Sequence, residues 1–210
     1  MARYERISSN SSLHLALFVV LLCIPGVPTL LPAFVNGIFI VSELTGDVRE
    51  RVHAIQRVYD RKLAKGTPPH ITLAGSSGVG PLPVDTSAAR IRELLEPIVR
   101  DTAPITVRFE RPHRYMTTDI IVLPVDPHGP IRTLHERIAA SGLRFERTRH
   151  RFSPHCTLSF YQTLTAANER KLMSVRVEEP AVITRLQFYL TLDLVASRKV
   201  VELELGNAAD

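Results

Sequence analysis

Two five-residue strings constrain this chain more than anything else in it. They are Pro69-His70-Ile71-Thr72-Leu73 and, 85 residues later, Pro154-His155-Cys156-Thr157-Leu158. Both read P-H-x-T-L. The composition expects about 0.005 such strings by chance, against about 0.6 for a lone H-x-T. Two copies therefore point to an internal duplication, and the pattern around them should repeat as well.

It does repeat. Residues 37–42 (GIFIVS) form a short β-branched run that reads as a buried strand. Val48, Val52, Ile55, Tyr59 and Leu63 then recur at helical spacing and predict one amphipathic helix, ended by Gly66 and Pro68-Pro69. The first motif follows as a strand. A Gly/Ser/Pro loop at 75–83 leads to a second surface helix over 87–100, with Pro97 near its end. In the second half, 105–109 and 119–123 read as a strand pair around the turn-prone stretch 112–118. Pro130 occupies an N1 position, and Ile131, Leu134 and Ile138 form a helix stripe closed by Gly142. The second motif is again a strand. A short helix over 165–173 and a final hairpin, 182–194 with 199–205, complete an α/β pattern of strand–helix–strand twice over.

Strand geometry gives the motifs a chemical reading. Side chains at i and i+2 share a face about 6.6 Å apart along the strand. His70 and Thr72 therefore point one way while Ile71 and Leu73 point into the core, and His155 and Thr157 repeat the arrangement. If the copies pack about a pseudo-twofold axis, two imidazoles and two hydroxyls share one cleft. One imidazole can then take a proton from a nucleophile and the other can give one to a leaving oxygen. Threonine hydroxyls can donate to phosphate oxygens as charge develops there.

At these residues the chain resembles the 2H phosphoesterase superfamily, in its bacterial 2′-5′ RNA ligase / RNA 2′,3′-cyclic phosphodiesterase branch, over about residues 37–205. The resemblance implies a bilobal α/β (α+β) fold with two antiparallel-rich sheets flanking a central cleft. It also implies metal-independent, cofactor-free hydrolysis of 2′,3′-cyclic phosphates or 2′-5′ phosphodiesters, with the tetrad falling on His70, Thr72, His155 and Thr157. His155 would activate water and His70 would protonate the leaving group. Some members carry a Tyr five residues beyond the second His; here that position is Phe160, with Tyr161 next to it. The expected partner is an RNA terminus or a small cyclic nucleotide. RNA ligation, and an inactive nucleotide-binding protein of the same fold, stand as alternatives.

Other features carry bland readings beside sharp ones. The histidines could be satisfied core residues and the threonines ordinary strand formers. Neither motif supplies a metal set, since no acidic residue stands at H-x-x-E or H-x-D spacing. Cys156 alternates away from the cleft and reads as a small core residue. Lys and Arg total 26 against 21 Asp and Glu, an excess that favours an anionic partner. The run Arg144, Arg147, Arg149, His150, Arg151 is either a phosphate-binding segment or a solvated loop, and Arg151 and Arg149 are the preferred substrate contacts together with Tyr161. Arg108, Arg111, His113 and Arg114 form a second basic group. Phe188 and Tyr189, in the terminal hairpin, read as core rather than base-stacking residues.

The first 36 residues differ from the rest. Residues 13–24 (LHLALFVVLLCI) form an apolar run too short to span a bilayer, preceded by basic residues. Signal or anchor, translated sequence upstream of the true start, and a helix packed on the domain all remain open. The expected organisation is this segment followed by one domain over 37–210, with lobes near 37–103 and 104–210 that can exchange strands. The expectation is a cytoplasmic monomer, exported or membrane-anchored only if residues 13–24 are retained.

Overall fold

The apolar run at the start of the duplicated region forms β1 (Gly37–Glu43), with Ile38, Ile40, Val41 and Ser42 buried. It is the second strand of a four-stranded antiparallel sheet. β2 (His70–Ala74) pairs on one side; β8 (Arg185–Leu192) pairs on the other and carries β9 (Val195–Glu204) beyond it. A three-stranded sheet has the order β4 (His113–Arg114), β5 (Ile121–Pro124), β6 (His155–Ser159), and β3 (Ile105–Val107) pairs with β7 (Ala181–Ile183) alone. This computed structural model describes residues 36–115, 118–192 and 195–206, so the apolar stretch at 13–24 lies outside the described residues.

The duplication reaches into the hydrogen-bond register. In the first copy Val41 faces Thr72, Ser42 faces Ile71 and Glu43 faces His70, with a register shift between Ile40 and Val41. In the second, Val122 faces Thr157, Leu123 faces Cys156 and Pro124 faces His155, with the shift between Ile121 and Val122. Even the flanking bond recurs: Leu44 N donates to Pro69 O at 2.8 Å, and Val125 N to Pro154 O at 3.0 Å. An irregularity kept at equivalent places re-aims a strand the same way twice.

The helices follow from their stripes. α1 (Gly46–Tyr59) buries Val48, Val52 and Gln56. α3 (Ala88–Arg100) buries Ile91, Leu95 and Val99 behind a Ser87 cap whose side chain accepts from Arg90 N at 3.2 Å. α4 (Pro130–Ala139) starts on its N1 proline and buries Ile131, Leu134, His135 and Ile138. α5 (Ala166–Met173) is capped by Thr165. Apolar residues from both copies join one core. The connections cross between copies: α1 packs against β6, α4 packs against β2, and β2 lies alongside β6.

Three local expectations are corrected. The helix expected to run through Leu63 breaks at Asp60, which leaves helical geometry (φ −149°, ψ 82°) and starts α2 (Arg61–Gly66). The stretch 105–109 does not pair with 119–123 as a regular ladder. β3 takes β7 as partner, β5 takes β4 from within the stretch read as a turn, and only a single bridge joins Phe109 to Val125. The first part of the expected last hairpin is β7, which ends before the hairpin strand β8 begins at Arg185.

Candidate active site

β2 and β6 show the same alternation residue for residue. His70, Thr72, His155 and Thr157 are partly exposed; Ile71, Leu73, Cys156 and Leu158 are buried completely. Each histidine is locked by its own chain: Nδ1 lies 2.7 Å from Pro68 O in the first copy and 2.8 Å from Ser153 O in the second. A carbonyl oxygen can only accept, so Nδ1 carries the proton and Nε2 is bare in the neutral ring. Neither Nε2 nor either threonine hydroxyl has a partner among the described residues, and none of these atoms is sealed from solvent. Four groups able to exchange protons or donate to an anion are therefore unspent.

The electrostatics of the two rings differ. Burial pulls His70 below the ordinary imidazole range, opposed by the Pro68 carbonyl and by the Glu43 carboxylate. Burial also lowers His155, opposed by the Ser153 carbonyl, and a charge on His70 lowers it further, so the rings lie within electrostatic reach of each other. Glu43 has no counterpart in the second copy, where Pro124 takes its place opposite His155. Glu43 is held by Tyr189, whose hydroxyl donates to its Oε1 at 2.7 Å. Near His155 the corresponding group is Tyr115, whose phenol oxygen is 3.1 Å from His155 Nδ1 and whose ring meets the imidazole edge-on at 5.6 Å. Because Nδ1 holds the proton, that oxygen accepts a share of it beside Ser153 O, and the phenol also engages the Ser153 side chain. The Cys156 thiol is pushed up to about 12 by burial, despite a contact with the His70 backbone, and is no thiolate at neutral pH.

Each motif strand is steadied from the other copy. Gln56 Nε2 of α1 donates to Thr157 O at 2.7 Å. His135 Nδ1 of α4 donates to Leu73 O at 2.7 Å, with its ring stacked on Phe152 at 3.9 Å. The fully buried Asp60 carboxylate receives the Leu63 N–H that opens α2, and its second oxygen receives Phe160 N–H and Tyr161 N–H at 2.8 and 2.7 Å where the chain leaves β6. Sequence reasoning missed Asp60, Gln56, His135, Tyr115 and Glu43. Of these only Asp60 left a signal, an acidic cap residue inside an otherwise helical stretch.

The remaining expected contacts are distributed rather than gathered. Arg149 and Arg151 are exposed on the segment leading into β6, whereas Tyr161 lies past its other end, under the Lys62 ammonium at 4.3 Å and edge-on to Phe160. In the second basic group Arg114 is fully committed to structure, to Thr118 O, Glu169 and Asp119 at 2.8, 2.8 and 3.0 Å. Phe188 is core. A cavity of about 600 Å³ between Asp101–Thr106 and the start of α4 contains no motif residue. Among the described residues no helix is long and apolar enough to cross a membrane, and no three His, Cys, Asp or Glu side chains cluster as a metal site would require.

The family model of the 2′-5′ RNA ligase superfamily matches residues 45–192, a span that includes both motifs. No curated protein matches. Among solved structures, apo Escherichia coli LigT is 17% identical with a TM-score of 0.50, covering 82% of this chain and 98% of its own. E. coli LigT complexed with 3′-AMP is 16% identical, again at 0.50, with coverage of 81% and 98%. The TT0787 protein of Thermus thermophilus is 13% identical at 0.56, with coverage of 82% and 99%. At these identities the likeness establishes the fold.

Proposed function

Because this chain belongs to the 2′-5′ RNA ligase superfamily of 2H phosphoesterases, we propose that it hydrolyses a 2′,3′-cyclic phosphate or a 2′-5′ phosphodiester, on an RNA terminus or a small nucleotide. The tetrad His70, Thr72, His155 and Thr157 carries the reaction without metal or cofactor. One observation supports this most: both imidazoles are tied through Nδ1 to their own backbone, leaving two bare Nε2 atoms and two unpartnered hydroxyls. That E. coli LigT was crystallised with 3′-AMP accords with a ribose phosphate as the product class.

Neutral His155 Nε2 accepts a proton from water as the oxygen attacks phosphorus. The bond from phosphorus to the opposite ribose oxygen breaks in line, and protonated His70 Nε2 delivers its proton to that oxygen. One water is consumed, one phosphomonoester and one hydroxyl form, and the rings return their protons through solvent. Thr72 and Thr157 donate to the non-bridging oxygens, where charge accumulates. The asymmetry of the rings supports these roles. Glu43 opposes the lowering of His70 and has no counterpart beside His155, which favours His70 as the ring that carries the proton to the leaving oxygen. Ligation is the same displacement run backwards and requires two RNA ends held together at high local concentration.

The test is turnover of a panel of 2′,3′-cyclic nucleotides, 2′-5′ dinucleotides and 3′-5′ controls, with identification of the phosphomonoester isomer formed. His70→Ala and His155→Ala are each expected to lose about a hundredfold or more while retaining the wild-type circular dichroism. Wild-type rates in either variant would remove the proposed site.

A further inference from the structure

Residues 144–151 hold four arginines, one histidine and one acid, Glu146. All four guanidinium groups are exposed, and none has a hydrogen bond or ion pair among the described residues. Elsewhere Arg51, Arg114, Arg137 and Arg185 are each held by a carboxylate. Four like charges left uncompensated in eight residues repel one another, and a chain that holds them together raises the local potential for an anion.

The segment is also fixed in place, unlike an ordinary solvated loop. It lies antiparallel to the loop that leaves β2. Gly78 N donates to His150 O, Gly80 N to Glu146 O and Glu146 N to Pro81 O, each at 2.9 Å. Ser153 N donates to Ser77 Oγ at 3.0 Å. The fit leaves no room for a side chain at either glycine. A Cβ on Gly80 would stand 2.5 Å from Glu146 O, and one on Gly78, at φ +73°, would stand 2.2 Å from His135 Nε2. Phe152, stacked on His135, fastens the segment to α4 just before the chain enters His155.

We infer that residues 144–151 form a rail for the phosphodiester backbone of a single-stranded RNA whose end occupies the proposed active site. The preferred substrate is then an oligonucleotide rather than a mononucleotide. The inference rests on the reading of His70 and His155 above for its orientation, since a strand whose terminal phosphate sits at His155 continues onto the segment leading into it. Guanidinium favours this partner because its planar fork matches two phosphate oxygens at once. Base identity plays no part, because backbone contacts position a strand without reading it.

The experiment pairs a short single-stranded RNA ending in a 2′,3′-cyclic phosphate with the matching cyclic mononucleotide. It compares the wild type with Arg144→Gln/Arg147→Gln and with Arg144→Lys/Arg147→Lys. Wild-type kcat/KM should favour the RNA, by a margin that shrinks with salt. Each phosphate contact contributes about 0.7 to the log–log salt slope for a single strand. The glutamine pair should therefore lower the slope by about 1.4 and reduce the RNA-to-mononucleotide ratio by about sevenfold at 50 mM relative to 200 mM salt. The lysine pair should keep most of the slope, which a merely structural loss would not allow. Anisotropy of a labelled RNA ending in a 3′-phosphate gives the same slopes without turnover. Arginine-dependent RNA binding without hydrolysis would support the rail and sink the hydrolase reading. Hydrolysis with equal preference for both substrates, an unchanged salt slope in the glutamine pair, or tighter binding to anionic phospholipid vesicles or a poly-glutamate peptide than to RNA would overturn the rail alone.

Discussion

Replacing Asp60 by alanine tests the physical account of how β6 is held. The residue is wholly buried, and its carboxylate accepts three backbone N–H groups: Leu63 at the start of α2, then Phe160 and Tyr161 at the end of the second motif strand. Loss of an N-cap costs about 1 kcal/mol. Each of the other two N–H groups, aimed at the place of a wholly buried carboxylate and left without that acceptor, costs about 1–3 kcal/mol. The sum is about 3–7 kcal/mol, a large share of the 5–15 kcal/mol by which domains of this kind are typically stable. With a urea m-value of about 2 kcal/mol/M, the unfolding midpoint should fall by about 2 M. Asp60→Asn keeps a single oxygen and turns an amide group toward N–H donors, so it should fall between wild type and alanine. Equilibrium urea unfolding followed by circular dichroism at one fixed pH measures all three proteins. A midpoint within about 0.5 M of wild type for the alanine variant would refute the reasoning, because it would mean that water replaces the carboxylate at no great cost.

Burial lowers His70, His135 and His155 in the folded state. The unfolded chain therefore binds more protons below pH 6.5, and stability should be full above that pH and decline as pH falls through it; urea midpoints at acidic and neutral pH measure the slope. A midpoint that rises on acidification would contradict this sign. For catalysis, Glu43→Gln removes a carboxylate that opposes the lowering of His70. The descending alkaline limb of the kcat/KM profile should then move to lower pH, and an unmoved limb would deny Glu43 any hold on the proposed acid. Tyr115→Phe keeps the edge-on ring but deletes an oxygen 3.1 Å from His155 Nδ1. One hydrogen bond of about 1 kcal/mol corresponds to roughly a fivefold fall in kcat/KM, whereas full activity would make Tyr115 a packing residue only.

Much of this molecule can be read from strand and helix periods. The alternation in His70–Leu73 and His155–Leu158 predicts which side chains are buried, and the burial observed in β2 and β6 follows it. The Ile131–Ile138 stripe likewise matches the buried face of α4, while in α1 Val48 and Val52 are buried, Ile55 and Tyr59 only partly so, and Gln56 takes the third buried place. What escaped has a common cause. Tyr59 and Leu63 keep helical spacing across Asp60, and only the distant Phe160 and Tyr161 explain why the chain breaks there. β3 and β4 are three and two residues long, too short for a pattern to name a partner, so tertiary context decided their pairing. Tyr115 approaches His155 across forty residues of chain through a sheet that the periodicity of neither segment announces.

β1 waits for β8, which comes late in the chain and carries β9 beyond it, before its second edge is covered. α1 likewise waits for β6, and β2 for α4. During synthesis the first histidine strand therefore emerges without the helix that braces it, and an open, apolar sheet edge persists while the rest is translated, on the order of 10 s at ordinary elongation rates. Such long-range closure makes a slow folder. It also means that β1 keeps a bare edge, and Glu43 stands opposite His70 without Tyr189 to hold it, until the last hairpin has left the ribosome.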